Sequence, residues 1–243
     1  MALSIAKAPG SNEGSIFPQL LKSANDPGPK DDGISHSLTD LDLATEAGSF
    51  MIAGTGSGFA VTYLIWTVLL HPTIQSALEA EVATLDDKFC DADLEKLRLL
   101  NAVINEIMRL YGVVSGSLPR IVPHGGIDAG THFIPEGTIV STQIWTVHRD
   151  EKLWPDPDSF KPERWLADVA PDAGKTVFAP FGVGSRGCLG NHLAMMEIRI
   201  AAALFFRQLK GVKLAPETAA QKLKFENFFL VKPMADVCFI MAG

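Results

Sequence analysis

Apolar positions recur at helical spacing through three stretches of the first 110 residues and again after residue 190; between them they form short runs broken by glycine and proline. Ser37-Leu38-Thr39-Asp40 reads as a capping box, and a helix is predicted from there to about Leu70. Pro72 suits the first position of the next helix, which the pattern carries to about Ala83. A third helix is predicted over Leu97 to Leu110, entered from the acidic DDKFCDADLEK. SLPRIVP, THFIP and GTIVSTQ then read as short strands separated by turns. Residues 150–177 are loop-rich and punctuated by Pro155, Pro157, Pro162 and Pro171. The last long helix is predicted over Cys188 to Leu209, with VKLAP, FENFFLVKP and VCFIM as terminal strands. Residues 1–36 read as a leader with one short helix near Ile16 to Ala24 and the turn-rich NDPGPKDDG. The order of helices, small sheet, coil, helix and small sheet defines a mainly α fold with small β-sheets, organised as a leader over 1–36 and one domain over 37–243.

Composition sets limits on this picture. Of the 243 residues 47% are hydrophobic and 20% charged, enough for a substantial core. A net charge of −7 argues against nucleic-acid binding, which needs a basic surface. Cys90, Cys188 and Cys238 are far apart, odd in number and without zinc-ligand spacing, so a disulfide framework is not expected and reducing conditions fit best. The N-terminal MALSIAKAPGSNEGS lacks the apolar core of a secretory signal. Ser49 to Pro72 carries no formal charge and is long enough to span a bilayer. A membrane helix is one reading; a buried core helix is preferred, because the segment continues upstream as polar, periodic helix.

The chemistry concentrates in FAPFGVGSRGCLG, residues 178–190, where glycines and one proline surround Cys188 ahead of the apolar helix. A thiolate is a strong, soft ligand for iron. Unpaired backbone N–H groups and the positive dipole end at a helix start both favour it. Gly182, Gly184, Gly187 and Gly190 let a flat macrocycle approach the backbone, Arg186 could meet a haem propionate, and Phe181 could shield the sulfur from water. A lone cysteine at a helix start is ordinarily structural. Here the whole constellation F-x-x-G-x-R-x-C-x-G is satisfied by Phe181, Gly184, Arg186, Cys188 and Gly190.

With that constellation the chain resembles the cytochrome P-450 family of haem-thiolate monooxygenases, most closely its fungal secondary-metabolism members. Other stretches are similar in the same order: Glu106-Ile107-Met108-Arg109, Leu118-Pro119-Arg120-Ile121-Val122-Pro123, His148-Arg149-Asp150, Phe160-Lys161-Pro162-Glu163-Arg164-Trp165, and Ala53-Gly54-Thr55-Gly56-Ser57 where the family's oxygen-activating helix has A-G-x-D/E-T. The resemblance implies the C-terminal portion of the cytochrome P-450 fold, haem b as cofactor and Cys188 as the axial iron ligand. It implies that Arg120 reaches a propionate, and that Glu106, Arg109 and Arg164 form a buried structural cluster. Thr55, Gly56 and Ser57 would border the distal oxygen site. The family's acid-alcohol pair is altered to Gly56 and Ser57: a serine still donates a hydrogen bond, whereas glycine relays no proton. The other histidines read as turn or surface residues.

The same resemblance implies hydroxylation of an apolar small-molecule substrate, with electrons from a flavoprotein NADPH-cytochrome P-450 reductase. A partner that supplies the family's N-terminal half is a further expectation, and the net charge of −7 leaves no nucleic acid among the partners expected. The location expected is the cytoplasmic side, with the endoplasmic reticulum surface reached through partners. Two further readings stay open: a non-catalytic haem-binding remnant or scaffold, and a non-redox isomerase or cyclase reusing the pocket.

Overall fold

The computed structural model describes Pro18 and residues 39–166, 172–219, 225–228, 230–233 and 239–242. The short helix expected over 16–24 and Cys238 lie outside the described residues, Pro18 apart. The chain divides into two compact units, residues 1–55 and 56–243.

Helix α1 runs over Asp40–Leu69. Its cap sits two residues later than the sequence pattern suggests. Thr39 Oγ1 accepts the Asp42 backbone N–H (3.2 Å), while the Asp42 carboxylate accepts the Thr39 N–H (2.7 Å). The reciprocal capping box therefore spans Thr39 to Asp42, because Asp42 is the first residue placed to reach back to the chain entering the helix. Among the described residues α1 alone is long and apolar enough to cross a membrane. Tyr63, Leu64 and Val68, in its second half, are fully buried core residues.

Helix α2 follows over Pro72–Val82, then a short α3 (Asp91–Leu94) inside the acidic stretch, and α4 (Arg98–Leu110). Helix α7, Asn191–Gln208, packs against α2, α3 and α4. Leu78 of α2, Leu100, Val103 and Ile104 of α4, and Ala202 and Phe206 of α7 are completely buried in one core with the α1 residues. Helix α4 is buried almost all round, and Glu106 and Arg109 lie within its buried surface.

The start of α4 lacks a cap of its own, since Leu97 at the N-cap offers no side-chain acceptor. Glu81 of α2 supplies one: its two carboxylate oxygens accept the Leu99 and Leu100 N–H groups, each at 2.8 Å. This places negative charge on the positive end of the α4 dipole. Glu81→Ala is therefore expected to lower stability by about 1 kcal/mol, the usual loss of a cap, with Glu81→Gln milder; urea midpoints of the two variants check this.

The β structure consists of antiparallel pairs. β1 (Ser117–Ile121) pairs with β4 (Ile139–Gln143), and β2 (Ile127–Asp128) with β3 (Phe133–Ile134). A one-turn helix α5 (Ile144–Val147) follows β4, and a 3-10 turn (Pro162–Trp165) and α6 (Asp172–Val177) occupy the proline-rich region. After α7, β5 (Lys213–Leu214) leads into α8 (Pro216–Ala219), and β5 pairs with β8 (Ile240–Met241). FENFFLVKP is not one strand but two, β6 (Phe225–Phe228) and β7 (Leu230–Pro233), paired to each other.

Candidate active site

Cys188 lies before α7, not in its first turn: the helix begins at Asn191 with Gly190 as N-cap. The preceding segment is a folded loop. Gly182 N–H donates to Ala179 O (3.0 Å), Gly187 N–H to Gly184 O (3.0 Å), and Cys188 N–H to Phe181 O (2.8 Å). Gly182 and Gly184 both adopt φ +70°, a conformation that side chains disfavour. The Cys188 thiol is exposed. Val183 (78% exposed) and Leu189 (90%) present apolar surface on either side of it. A methyl group added at Gly184 or Gly190 would meet no atom within 4 Å. Phe181 is half-buried and packs on the core.

These features fit a haem. The sulfur is presented from a backbone that its own hydrogen bonds hold, open space lies beside two of the glycines, and apolar side chains stand ready to be covered. Arg186 in the loop and Arg120 on β1 are both exposed; Arg120 Nη1 donates to Pro119 O (2.9 Å).

Behind the loop lies a charged knot. Glu106 (0% exposed) and Arg109 (1%) form a two-pronged pair, Nε to Oε2 and Nη2 to Oε1, each 2.9 Å. Arg109 spends its remaining donors on the carbonyls of His148 (2.7 Å), Pro157 (2.7 Å) and Ser159 (3.3 Å). Glu106 also accepts from Lys161 N–H (3.0 Å), Arg164 Nε (3.2 Å) and Trp165 Nε1 (3.0 Å). Arg164 in turn donates to Asp156 O (2.8 Å). The helix α4 pair and the P-E-R turn are thus brought together, with both charges fully hydrogen-bonded, as burial requires.

On α1 the three residues of the altered acid-alcohol segment differ. Thr55 Oγ1 donates to Ile52 O (2.7 Å) on its own helix. Gly56 is buried, and a side chain there would meet Val113 Cγ1 at 2.9 Å. Ser57 Oγ donates to Glu197 Oε2 of α7 at 2.6 Å. Glu197 was not singled out from the sequence, although it and Arg199 are the only charges in the first four turns of an apolar helix. Arg199 bridges α7 to Asp91 (3.1 Å) and Glu95 (3.2 Å), and Asn101 accepts from its Nε (3.0 Å).

His148, in the triplet that the resemblance singles out, is buried, which the sequence did not indicate. It caps α5 but is 1% exposed, because Trp154 and Phe178 close over its ring. The backbone N–H of Ala179 donates to its Nε2 (3.3 Å), so the ring is neutral with its proton on Nδ1. Burial first, then the nearby Arg109 charge, push its pKa down to about 4. The unfolded chain takes up a proton as pH falls through the ordinary value of 6.5, whereas the folded chain refuses it until about 4. Stability is therefore full above pH 6.5 and declines between 6.5 and 4, by roughly 3 kcal/mol for this group. Chemical unfolding across that range should show the decline, and His148→Gln should flatten it.

A surface thiol held at the head of a long apolar helix, backed by a buried carboxylate-guanidinium knot, is the arrangement of a haem-thiolate protein. A family model for cytochrome P450 matches residues 16–239, and the chain belongs to that family. It is 43% identical over 196 residues to the cytochrome P450 monooxygenase stcB of Emericella nidulans, covering 80% of this chain and 38% of that protein. It is 42% identical over 206 residues to the cytochrome P450 monooxygenase aflV of Aspergillus parasiticus, covering 84% and 41%. A crystal structure of a cytochrome P450 (CYP102L1) shares the fold, with a TM-score of 0.70 at 24% identity over 85% of this chain and 46% of its own. The chain spans about two fifths of the length of these two monooxygenases. Haem is the cofactor that family and fold imply.

Proposed function

We propose that this chain is the haem-binding part of a monooxygenase that hydroxylates an apolar small molecule of fungal secondary metabolism, with electrons from a flavoprotein reductase. The observation that carries the reading is the exposed Cys188 thiol on a hydrogen-bonded glycine loop with open space beside Gly184 and Gly190. Cys188 would hold the haem iron through its thiolate, with Phe181 of the same loop packed on the core, and Arg186 and Arg120 would supply positive charge for the propionates. When bound, the haem supplies dioxygen activation, and the thiolate adds electron density that favours O–O cleavage.

The protein's own part is to hold the sulfur and to manage protons. Ser57 keeps a hydroxyl at the family's alcohol position, and Gly56 leaves the neighbouring position without a carboxyl, so protons there come from water. Thr55 lies beside them in sequence. The monooxygenase names of its relatives support this reading, as does the match of the family model over residues 16–239. The test is incubation of the haem-loaded chain with reductase, NADPH and isotopically labelled dioxygen over a panel of apolar small molecules. One labelled oxygen atom per product molecule is expected, with peroxide in excess. Thiolate-ligated haem that converts a panel member without NADPH and without label would instead indicate a non-redox isomerase or cyclase.

A further inference from the structure

We infer that His148 is a positioning residue for the cysteine loop: through Ala179 it hangs the base of the loop on the buried Glu106–Arg109 pair. The inference rests on the haem-thiolate reading of Cys188. The backbone of His148 is fixed at both ends. Its N–H donates to Ile144 O (2.8 Å), and its C=O takes the Arg109 Nη1 donor (2.7 Å). Its ring lies 5.3 Å from Phe178 and 6.2 Å from Trp154, centroid to centroid, and Arg109 sits 5.3 Å from the Trp154 ring. Ala179 joins the two regions. Its N–H points to His148 Nε2, while its C=O accepts Gly182 N–H; one residue further on from Pro180, Phe181 C=O accepts Cys188 N–H.

Beyond Ala179 the Phe181 ring packs on the core, but Val183, Cys188 and Leu189 are exposed, so side-chain packing does little to fix the segment that carries the sulfur. Backbone hydrogen bonds therefore set where the sulfur sits, and the first of them is made to the imidazole. A half-buried N–H that loses its partner cannot be fully repaid by water, so the loop base would shift or open. An apolar ring of similar size at 148 would keep the stacking on Phe178 and Trp154 and remove only the acceptor.

The test uses the full chain with His148→Phe, His148→Gln and Ala179→Pro. Phe deletes the acceptor, Gln restores one near the Nε2 position, and Pro deletes the donor from the other end. In the haem-free chain, Ala179 amide exchange should accelerate roughly tenfold in His148→Phe and return towards wild type in His148→Gln. In the haem-loaded chain, His148→Phe and Ala179→Pro should both lose haem roughly tenfold faster and show a diminished thiolate-type carbon-monoxide band. His148→Gln should recover both. A wild-type band and wild-type haem loss in His148→Phe would overturn the inference; should that variant not fold, the same result in Ala179→Pro overturns it. A wild-type chain without any thiolate band would count against the haem-thiolate reading itself, and the haem-free exchange would still decide whether His148 anchors Ala179.

Discussion

Glu106→Ala and Arg109→Ala are each expected to yield almost no soluble, haem-loaded protein. Both side chains are completely enclosed, and each is the principal partner of the other. Removing the carboxylate leaves the Arg109 guanidinium, the Lys161 N–H and the Trp165 indole facing a site without their acceptor. Removing the guanidinium leaves a buried carboxylate with fewer donors and the carbonyls of His148 and Pro157 unpaired. Breaking such a pair costs about 3–5 kcal/mol, against a total stability of roughly 5–15 kcal/mol for a domain. The loss should propagate to the cysteine loop, because His148 joins the pair to Ala179. Glu163→Ala, a neighbouring exposed carboxylate, is the control and should express normally. Normal soluble yield and haem content in both core variants would show that the knot is dispensable.

Cys188→Ala should have the opposite profile: an intact fold and no thiolate-ligated haem. The side chain is exposed and contributes nothing to the core, so its removal should change stability by no more than about 0.5 kcal/mol. The loop hydrogen bond at this position is made by the backbone N–H and survives the substitution. What is lost is the only sulfur in the loop. Cys90→Ala is the matched control: Cys90 is also exposed, but its thiol donates to Asp93 Oδ2 (3.3 Å) at the start of α3. Cys238→Ala is expected to behave as Cys90→Ala. Unfolding curves together with haem absorption of the three variants check these outcomes. A thiolate spectrum that persists in Cys188→Ala, or disappears in Cys90→Ala, would move the ligand elsewhere.

The helices were legible because their apolar spacing and punctuation are local. Pro72, the run over Leu97 to Leu110 and the apolar stretch after residue 190 mark α2, α4 and α7 to within a few residues. Boundaries set by side-chain geometry were less legible. The α1 cap moved to Thr39 and Asp42, and α7 began at Asn191 because Gly190, not Cys188, takes the N-cap. The F-x-x-G-x-R-x-C-x-G loop and the Glu106, Arg109 and Arg164 segments could be singled out because each is a compact motif. Interactions that join distant segments left no such trace. Glu81 capping α4, Ser57 meeting Glu197 and His148 receiving Ala179 N–H depend on which faces the tertiary fold turns towards each other. His148 in particular lay within a recognised triplet, yet its burial comes from Trp154 and Phe178, residues whose approach the sequence pattern does not encode.

The measurement that bears most directly on Cys188 as the thiolate of a cytochrome P450 haem site is the carbon-monoxide difference spectrum of the reduced, haem-loaded chain. A thiolate-type band in the wild-type chain that is absent from Cys188→Ala and retained in Cys90→Ala is the predicted result. Haem bound with the same non-thiolate spectrum in all three proteins would contradict it.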